Sequence, residues 1–262
     1  MALTPDLDAD ALASALGDRP MRTYPALLST EPAAMAWARE GCPSGAVVVA
    51  DYQASPRGRA GLPWTVTPGR GLGFTLLHRP ADLVPEREGW PYIAALLGLR
   101  DVLAADGGSV TWPDAVLRAD GEVAARLGVY AELGPGRVEW VTVTVLVEDA
   151  VPPRGALLAR VLAAVERRLT EPADRVLADY RPHCVTLGRS VRARLIPLGP
   201  DGPEVVGEAV DVLADGALVV RTARGHRVAV PPQNLGLLEE PQGPVEPPEH
   251  LLGTARRQPP AP

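Results

Sequence analysis

The chain has 262 residues, 46% of them hydrophobic, with a mean hydropathy of +0.03 and a formal net charge of −6. That length can bury a full core in one or two domains, and the acidic balance gives no general electrostatic footprint for nucleic acid. No apolar run reaches the roughly 18 residues that a membrane span needs, and all 26 basic residues are arginine, so no chemistry here uses a lysine amine of its own.

The opening stretch, MALTPDLDADALASALGD, is acidic and broken by Pro5. It lacks the basic region and apolar core of a signal peptide, and the expectation is a cytoplasmic protein. Cys42 and Cys184 lie far apart with no CxxC arrangement, which fits a reducing compartment and argues against zinc. Ser29 or Thr30 can cap a helix that carries Pro32 in its first turn, runs through AAMAWARE and stops at Gly41. AVVVA, 46–50, reads as a buried strand. It is followed by the loop QASPRGRAGLPW, 53–64, with two arginines around Gly58, and by a strand LGFTLLH at 72–78.

A helix over about 90–104 carries Ile93, Leu96, Leu97 and Leu99 and ends at ADGG. Strands over 127–133 and 138–147 are joined by GPG, a hairpin signal. RGALLARVLAAVERRL from Arg154 is an amphipathic helix whose VERRL run reads as its wet face. A shorter helix is expected from near Pro172 to before Pro182. This alternation is α/β. From Leu187 the pattern changes to short strands, SVRARLIPL, EVVGEAVDVL, ALVVRT and HRVAVP, with Asp215-Gly216 and Arg224-Gly225 at hairpin positions. About five short strands in this space suit a small SH3-like barrel. The segment from 241 is rich in proline and too poor in apolar surface to fold. His78, His183, His226 and His250 form no cluster and read as structural or exposed.

In their order, these motifs resemble the biotin protein ligases, in the form without an N-terminal helix-turn-helix. LSTEPAAMAWAREG resembles the opening Ser-Thr segment, VVVADYQASPRGRAGLPW the adenylate loop, TWPD the Trp-Pro motif, and RLGVYAEL the strand after the catalytic lysine. TLGRSVRARL and GEAVDVLADGALVVRT are similar to the C-terminal SH3-like domain. The resemblance implies a biotin/lipoate-ligase-like α/β domain over 1–186 and an SH3-like domain over 187–240; composition makes 241–262 a disordered tail. It also implies the family reaction: biotin and ATP with Mg2+ give biotinyl-AMP, and the acyl group passes to a lysine of a biotin carboxyl carrier domain. Fixed cations must then offset two anions that meet. Carried over by position, Ser29, Thr30 and Gln53 would contact biotin; Arg57, Gly58 and Arg59 would fold over biotin and the phosphate. Trp64 would line the adenine side, Trp112 would pack beneath the ligand, and Asp114 would be a candidate metal ligand. With fewer than thirty residues before Ser29, no winged helix and no repressor role is expected. No membrane or nucleic-acid partner is expected, and a homodimer is compatible with the family.

The departures from the pattern carry equal weight. The loop has Pro56 where the family has glycine, and Ala60 and Leu62 where it has basic residues; proline removes a donor and restricts closure. Lys-Trp-Pro-Asn-Asp is replaced by Thr111-Trp112-Pro113-Asp114-Ala115. Anchored on Gly128, the catalytic lysine falls at Ala125. Arg126 is the substitute at hand, although strand alternation would put it on the opposite face from Ala125 unless a bulge intervenes. Thr142 and Thr144 would crowd the pocket, and Leu146 removes a polar group. Three readings follow. The leading one is a degenerate ligase-like protein that binds biotin or an acyl adenylate with lost or much reduced activity. The second is an active ligase that uses Arg126, Arg57 and Arg59, and the third a structural pseudo-ligase that pairs with a ligase or a carrier domain. Each residue also has a plainer role: PRGR as a solvated turn, Trp64 and Trp112 as packing, Asp114 as a surface carboxylate.

Overall fold

The computed structural model describes residues 3–66, 70–199 and 202–240; the proline-rich tail lies outside the described residues. Five helices and twelve strands alternate along it: α1 (Ala9–Leu16), β1 (Met21–Tyr24), α2 (Thr30–Arg39), β2 (Val47–Ala50), β3 (Leu72–His78), α3 (Trp90–Leu103), β4 (Ser109–Thr111), β5 (Ala115–Leu117), β6 (Val123–Gly134), β7 (Arg137–Val147), α4 (Arg154–Thr170), α5 (Ala173–Tyr180), β8 (Ser190–Leu195), β9 (Glu204–Val212), β10 (Leu218–Arg221), β11 (Arg227–Val230) and β12 (Leu235–Glu239). They form a mixed α/β unit on a seven-stranded sheet, order β1-β2-β3-β7-β6-β5-β4, and a five-stranded antiparallel sheet, order β11-β10-β9-β8-β12. In the large sheet only β1 and β2 pair in parallel.

β7 explains why the middle of the chain reads as an unbroken apolar run. Val141, Val143, Val145 and Val147 join the large core against α3 and α4, while the alternate residues Trp140, Thr142, Thr144 and Leu146 point to the other face, and all eight are buried. α2 packs on that second face against β2, β3 and β7. α3 and α4 meet closely at Gly98, where a Cβ would stand 2.7 Å from the Val165 Cα. Two carboxylates close the far end of this unit: Arg154, at the start of α4, binds Asp6 and Asp51 and so ties the N-terminal segment to the end of β2.

The small sheet is seated against the N-terminus of α3. The β9–β10 turn brings Gly216, at φ +89°, onto Gly89, and a Cβ on Gly216 would collide with the Gly89 carbonyl. Trp112 Nε1 donates to Gly216 O at 2.9 Å, Arg87 Nε to Ala214 O at 3.0 Å and Gln233 Nε2 to Glu88 Oε1 at 2.9 Å.

VERRL is not simply a wet face, because Arg168 is buried and bonds Asp101 at 2.8 Å, Glu171 at 2.8 Å and Asp179 at 2.7 Å, while Glu166 pairs with Arg19 at 2.7 Å. Helical spacing placed these charges outward, but carboxylates from α3, α5 and the α4–α5 turn surround the guanidinium and allow its burial.

Candidate functional site

α2, β3, β7 and the 53–64 loop bring together a buried polar floor. Gln53 Oε1 accepts from the Thr30 amide at 2.8 Å and from Thr30 Oγ1 at 3.2 Å. Thr75 Oγ1 donates to Thr30 Oγ1 at 2.8 Å and lies 3.0 Å from Thr144 Oγ1. Each hydroxyl has one proton. Since Thr30 gives its proton to Gln53 and Thr75 gives its own to Thr30, the chain runs in one direction, Thr144 to Thr75 to Thr30 to Gln53. The Gln53 amide lies across Gly73, where any Cβ would collide with Nε2. Ser29, the residue before α2, makes no capping bond, and its Oγ, like Thr142 Oγ1, is buried without a partner among the described residues. Glu31 sits in the first turn of the same helix, and burial pushes its carboxyl up to about 7.

The 53–64 loop closes on itself. Gly58 N donates to Leu62 O at 2.9 Å, Gly61 N to Gly58 O at 3.1 Å and Trp64 N to Pro56 O at 3.0 Å. Pro56 has no N–H to give this loop, and its carbonyl accepts the bond from Trp64. Trp64 lies over Gly58, where a Cβ would collide with the indole. The Gly58–Arg59 backbone rests on Gly128 of β6, whose Cβ would stand 3.0 Å from Arg59 N. The face of the sheet that carries Gly128 is thus the face that carries the loop.

The two loop arginines part company. Arg57 is exposed and donates to Gly61 O at 3.0 Å. Arg59 is buried at 6% exposure: Nε donates to Asp114 Oδ2 at 3.0 Å, and NH1 reaches the carbonyls of Leu235, and of Gly236 at 3.3 Å, on β12. Asp114, expected as a candidate metal ligand, is the counter-ion of Arg59 in this structure. Among the described residues no group of three or more metal-ligating side chains occurs. Trp112, at 1% exposure, is held by Gly216 O and by Thr186 Oγ1, which accepts from its amide at 3.0 Å, so it packs at the junction of the two sheets.

β6 sorts the lysine question by face. Ala125 pairs with Val147, is fully buried and belongs to the core on the helix side; Arg126 pairs with Leu146, two residues before Gly128 and on the same face. The register shift lies before Ala125, where β5 passes from Val116 to Leu117 while β6 passes from Ala125 to Val123. The Arg126 side chain is 44% exposed and its Nε stands 3.7 Å from Glu148 Oε1. Sequence reasoning named Ser29, Thr30 and Gln53 but missed Gly73, Thr75 and Glu31. The signal for the first two was the single glycine and threonine that interrupt LGFTLLH; for Glu31 it was its place directly after Ser29-Thr30.

No protein-family model matches the chain. It is 30% identical over 201 residues to the biotin–acetyl-CoA-carboxylase ligase of Mycobacterium tuberculosis, a match that takes in 66% of this chain and 72% of that one. Among solved structures, the biotin protein ligase of Aquifex aeolicus in complex with biotin and ATP superposes with a TM-score of 0.62 at 18% identity, covering 85% of this chain and 99% of that one. A biotin protein ligase-like protein of unknown function from Silicibacter superposes with a TM-score of 0.55 at 14% identity, covering 89% and 97%. The likeness to these structures lies in the fold, and the likeness in sequence to the mycobacterial enzyme assigns the lineage: the chain belongs to the biotin protein ligase family.

Proposed function

We propose that this protein binds biotin or an acyl adenylate such as biotinyl-AMP, and that it carries out ligation slowly or not at all. One observation carries this reading: Arg59, the loop arginine placed to meet a phosphate, is already neutralised by Asp114 in a chain that has no lysine to take its place. Removal of one preorganised charge-stabilising group lowers a rate by about 10²- to 10³-fold, and here both lysines implied by the resemblance are replaced.

The floor supports recognition of a ureido ring. Such a group offers one carbonyl acceptor and two N–H donors. Ser29 Oγ has both a proton and lone pairs to give, and the directed chain that ends on Gln53 fixes that amide with its oxygen toward Thr30. Biotin would lie between α2 and the loop, with its carboxylate toward Arg57 and Arg59. ATP and Mg2+ would supply the activated phosphate if adenylation occurs; Asp114 could serve the metal only after leaving Arg59.

The position of Arg126 on the loop-bearing face favours a second reading, an active ligase in which that guanidinium replaces the lysine. The experiment is isothermal titration with biotin, biotinyl-AMP and Mg·ATP, followed by transfer to a biotin carboxyl carrier domain. Binding with transfer at least about 10²-fold below an ordinary ligase supports the proposal. Ordinary transfer that is lost in Arg126→Ala replaces it with the second reading. No heat with any of the three overturns both and leaves the structural-partner reading.

A further inference from the structure

Arg59 joins three parts of the molecule that are distant in sequence: the loop, Asp114 after β4, and β12 of the small sheet. Consecutive carbonyls of a regular strand point in opposite directions. At β12 the pairing with β8 shifts between Leu235 and Leu237, so Gly236 is an extra residue there, and the bulge lets the carbonyls of both Leu235 and Gly236 turn toward one guanidinium. β12 is the edge of its sheet, so these carbonyls face the loop rather than another strand. A guanidinium has five donors in a rigid fork. With Nε on Asp114 and NH1 on β12, only NH2 keeps uncommitted N–H donors, so Arg59 cannot offer an incoming anion a two-nitrogen fork in its present position.

The geometry points to Arg59 as a latch: in the ligand-free chain it locks the loop to Asp114 and to the small sheet, and an anionic ligand, a carboxylate or the phosphate of an acyl adenylate, competes for it with Asp114. This rests on the proposed binding role of the same loop and adds its regulation. Asp114 acts as an internal anion that occupies the site until a stronger one arrives. Ligand binding then frees the edge of β12, so occupancy of the loop is communicated to the small sheet. The coupling is reciprocal, and whatever holds β12 in place weakens binding.

Two arms test it. In the first, with no ligand, hydrogen exchange is followed by mass spectrometry over residues 232–240 in the wild type, Arg59→Ala and Asp114→Asn. The latch predicts exchange about tenfold faster in Arg59→Ala, an intermediate rate in Asp114→Asn, and no change in the β9–β10 hairpin. Unchanged exchange in both variants overturns it, and unfolding of Arg59→Ala leaves the decision to Asp114→Asn. In the second arm, biotinyl-AMP and biotinamide, which has no adenylate phosphate, are titrated. Asp114→Asn is expected to bind biotinyl-AMP about tenfold more tightly than the wild type and biotinamide equally, with faster exchange at 232–240 in the wild type on adding biotinyl-AMP. Equal affinity of both proteins for biotinyl-AMP overturns the competition. If neither protein binds either compound, the proposed function fails, and the first arm alone decides whether Arg59 holds the small sheet.

Discussion

Replacement of Arg154 by alanine is expected to remove a large part of the stability of this protein. Arg154 is 1% exposed. Its Nε and NH2 donate to Asp6 at 2.9 and 2.8 Å, its NH1 pairs with Asp51 at 3.0 Å, and it also reaches Thr4 Oγ1 and, at 3.3 Å, Gly71 O. The Asp6 and Asp51 side chains are themselves only 11% and 7% exposed. One cation thus serves two carboxylates that are largely out of water, and its loss leaves both without a counter-charge. Breaking a buried pair from one side costs about 3–5 kcal/mol; with two carboxylates stranded the upper figure applies, a large share of the about 5–15 kcal/mol that holds a folded protein together. Chemical denaturation at pH 7, followed by tryptophan emission and circular dichroism, measures the difference. The pH dependence supplies a second check. Hydrogen bonds from Arg154 hold the Asp6 carboxyl below the usual carboxylate range, against the opposing effect of burial. A carboxyl lowered on folding contributes stability above its unfolded pKa and loses it as pH falls toward the folded value. The gap between wild type and Arg154→Ala is therefore full at pH 7 and narrows below about pH 4. A loss under about 1 kcal/mol at pH 7 would refute the argument, since that is the worth of an exposed pair.

Gly73→Ala puts a methyl group where the Gln53 amide lies, so Thr30 loses its acceptor; biotinyl-AMP affinity is expected to fall at least about tenfold, and calorimetry that finds it unchanged removes Gln53 from the site. Gly216→Ala meets both a positive φ and the Gly89 carbonyl, and a melting temperature lower by about 4–10 °C is expected; an unchanged melt would mean that the small sheet is not held there. Glu31 has its carboxyl raised to about 7 by burial, so folding favours its neutral form: that advantage is complete below the ordinary glutamate range and is lost as pH rises through 7. Glu31→Gln should accordingly flatten the fall in stability between about pH 4.5 and 7, and parallel denaturation curves for wild type and variant across that window would contradict it.

The legibility of the molecule followed the range of its interactions. β3 begins and ends where LGFTLLH does, and α2 starts at the Ser-Thr-Glu-Pro signal, because periodicity and caps are local. α1 and β1 went unread because they are only eight and four residues long, too short for either period to register, and β1 is half-buried throughout, although Leu12 of α1 is fully buried. β4 and β5 are three residues each, too short for alternation to register. β12 is preceded by the turn signal Pro231-Pro232-Gln233-Asn234, but Gly236 interrupts the apolar alternation of LGLLE. At the site, residue types were readable but directions were not. Arg57 and Arg59 look equivalent in PRGR, and only Asp114, 55 residues away, and β12, 176 residues away, separate an outward side chain from a buried one. The same holds for Arg126: alternation correctly set it opposite Ala125, but which of the two faced the loop depended on the Gly58–Gly128 contact.

The Gly89–Gly216 contact also has a bearing on how the chain assembles. The ladders of the small sheet join neighbours within 190–239, so they form by short-range closure, whereas its seat is made of residues far upstream, with Trp112 and Gly216 separated by 104 positions. Contacts between distant positions bear the larger closure entropy and form late. The small sheet is thus expected to arise as a local unit and to dock only after α3 and β4 are in place. Because two bare backbones meet at one point of that docking surface, little can adjust there: the final step of folding depends on a fit that no larger residue at either position would permit.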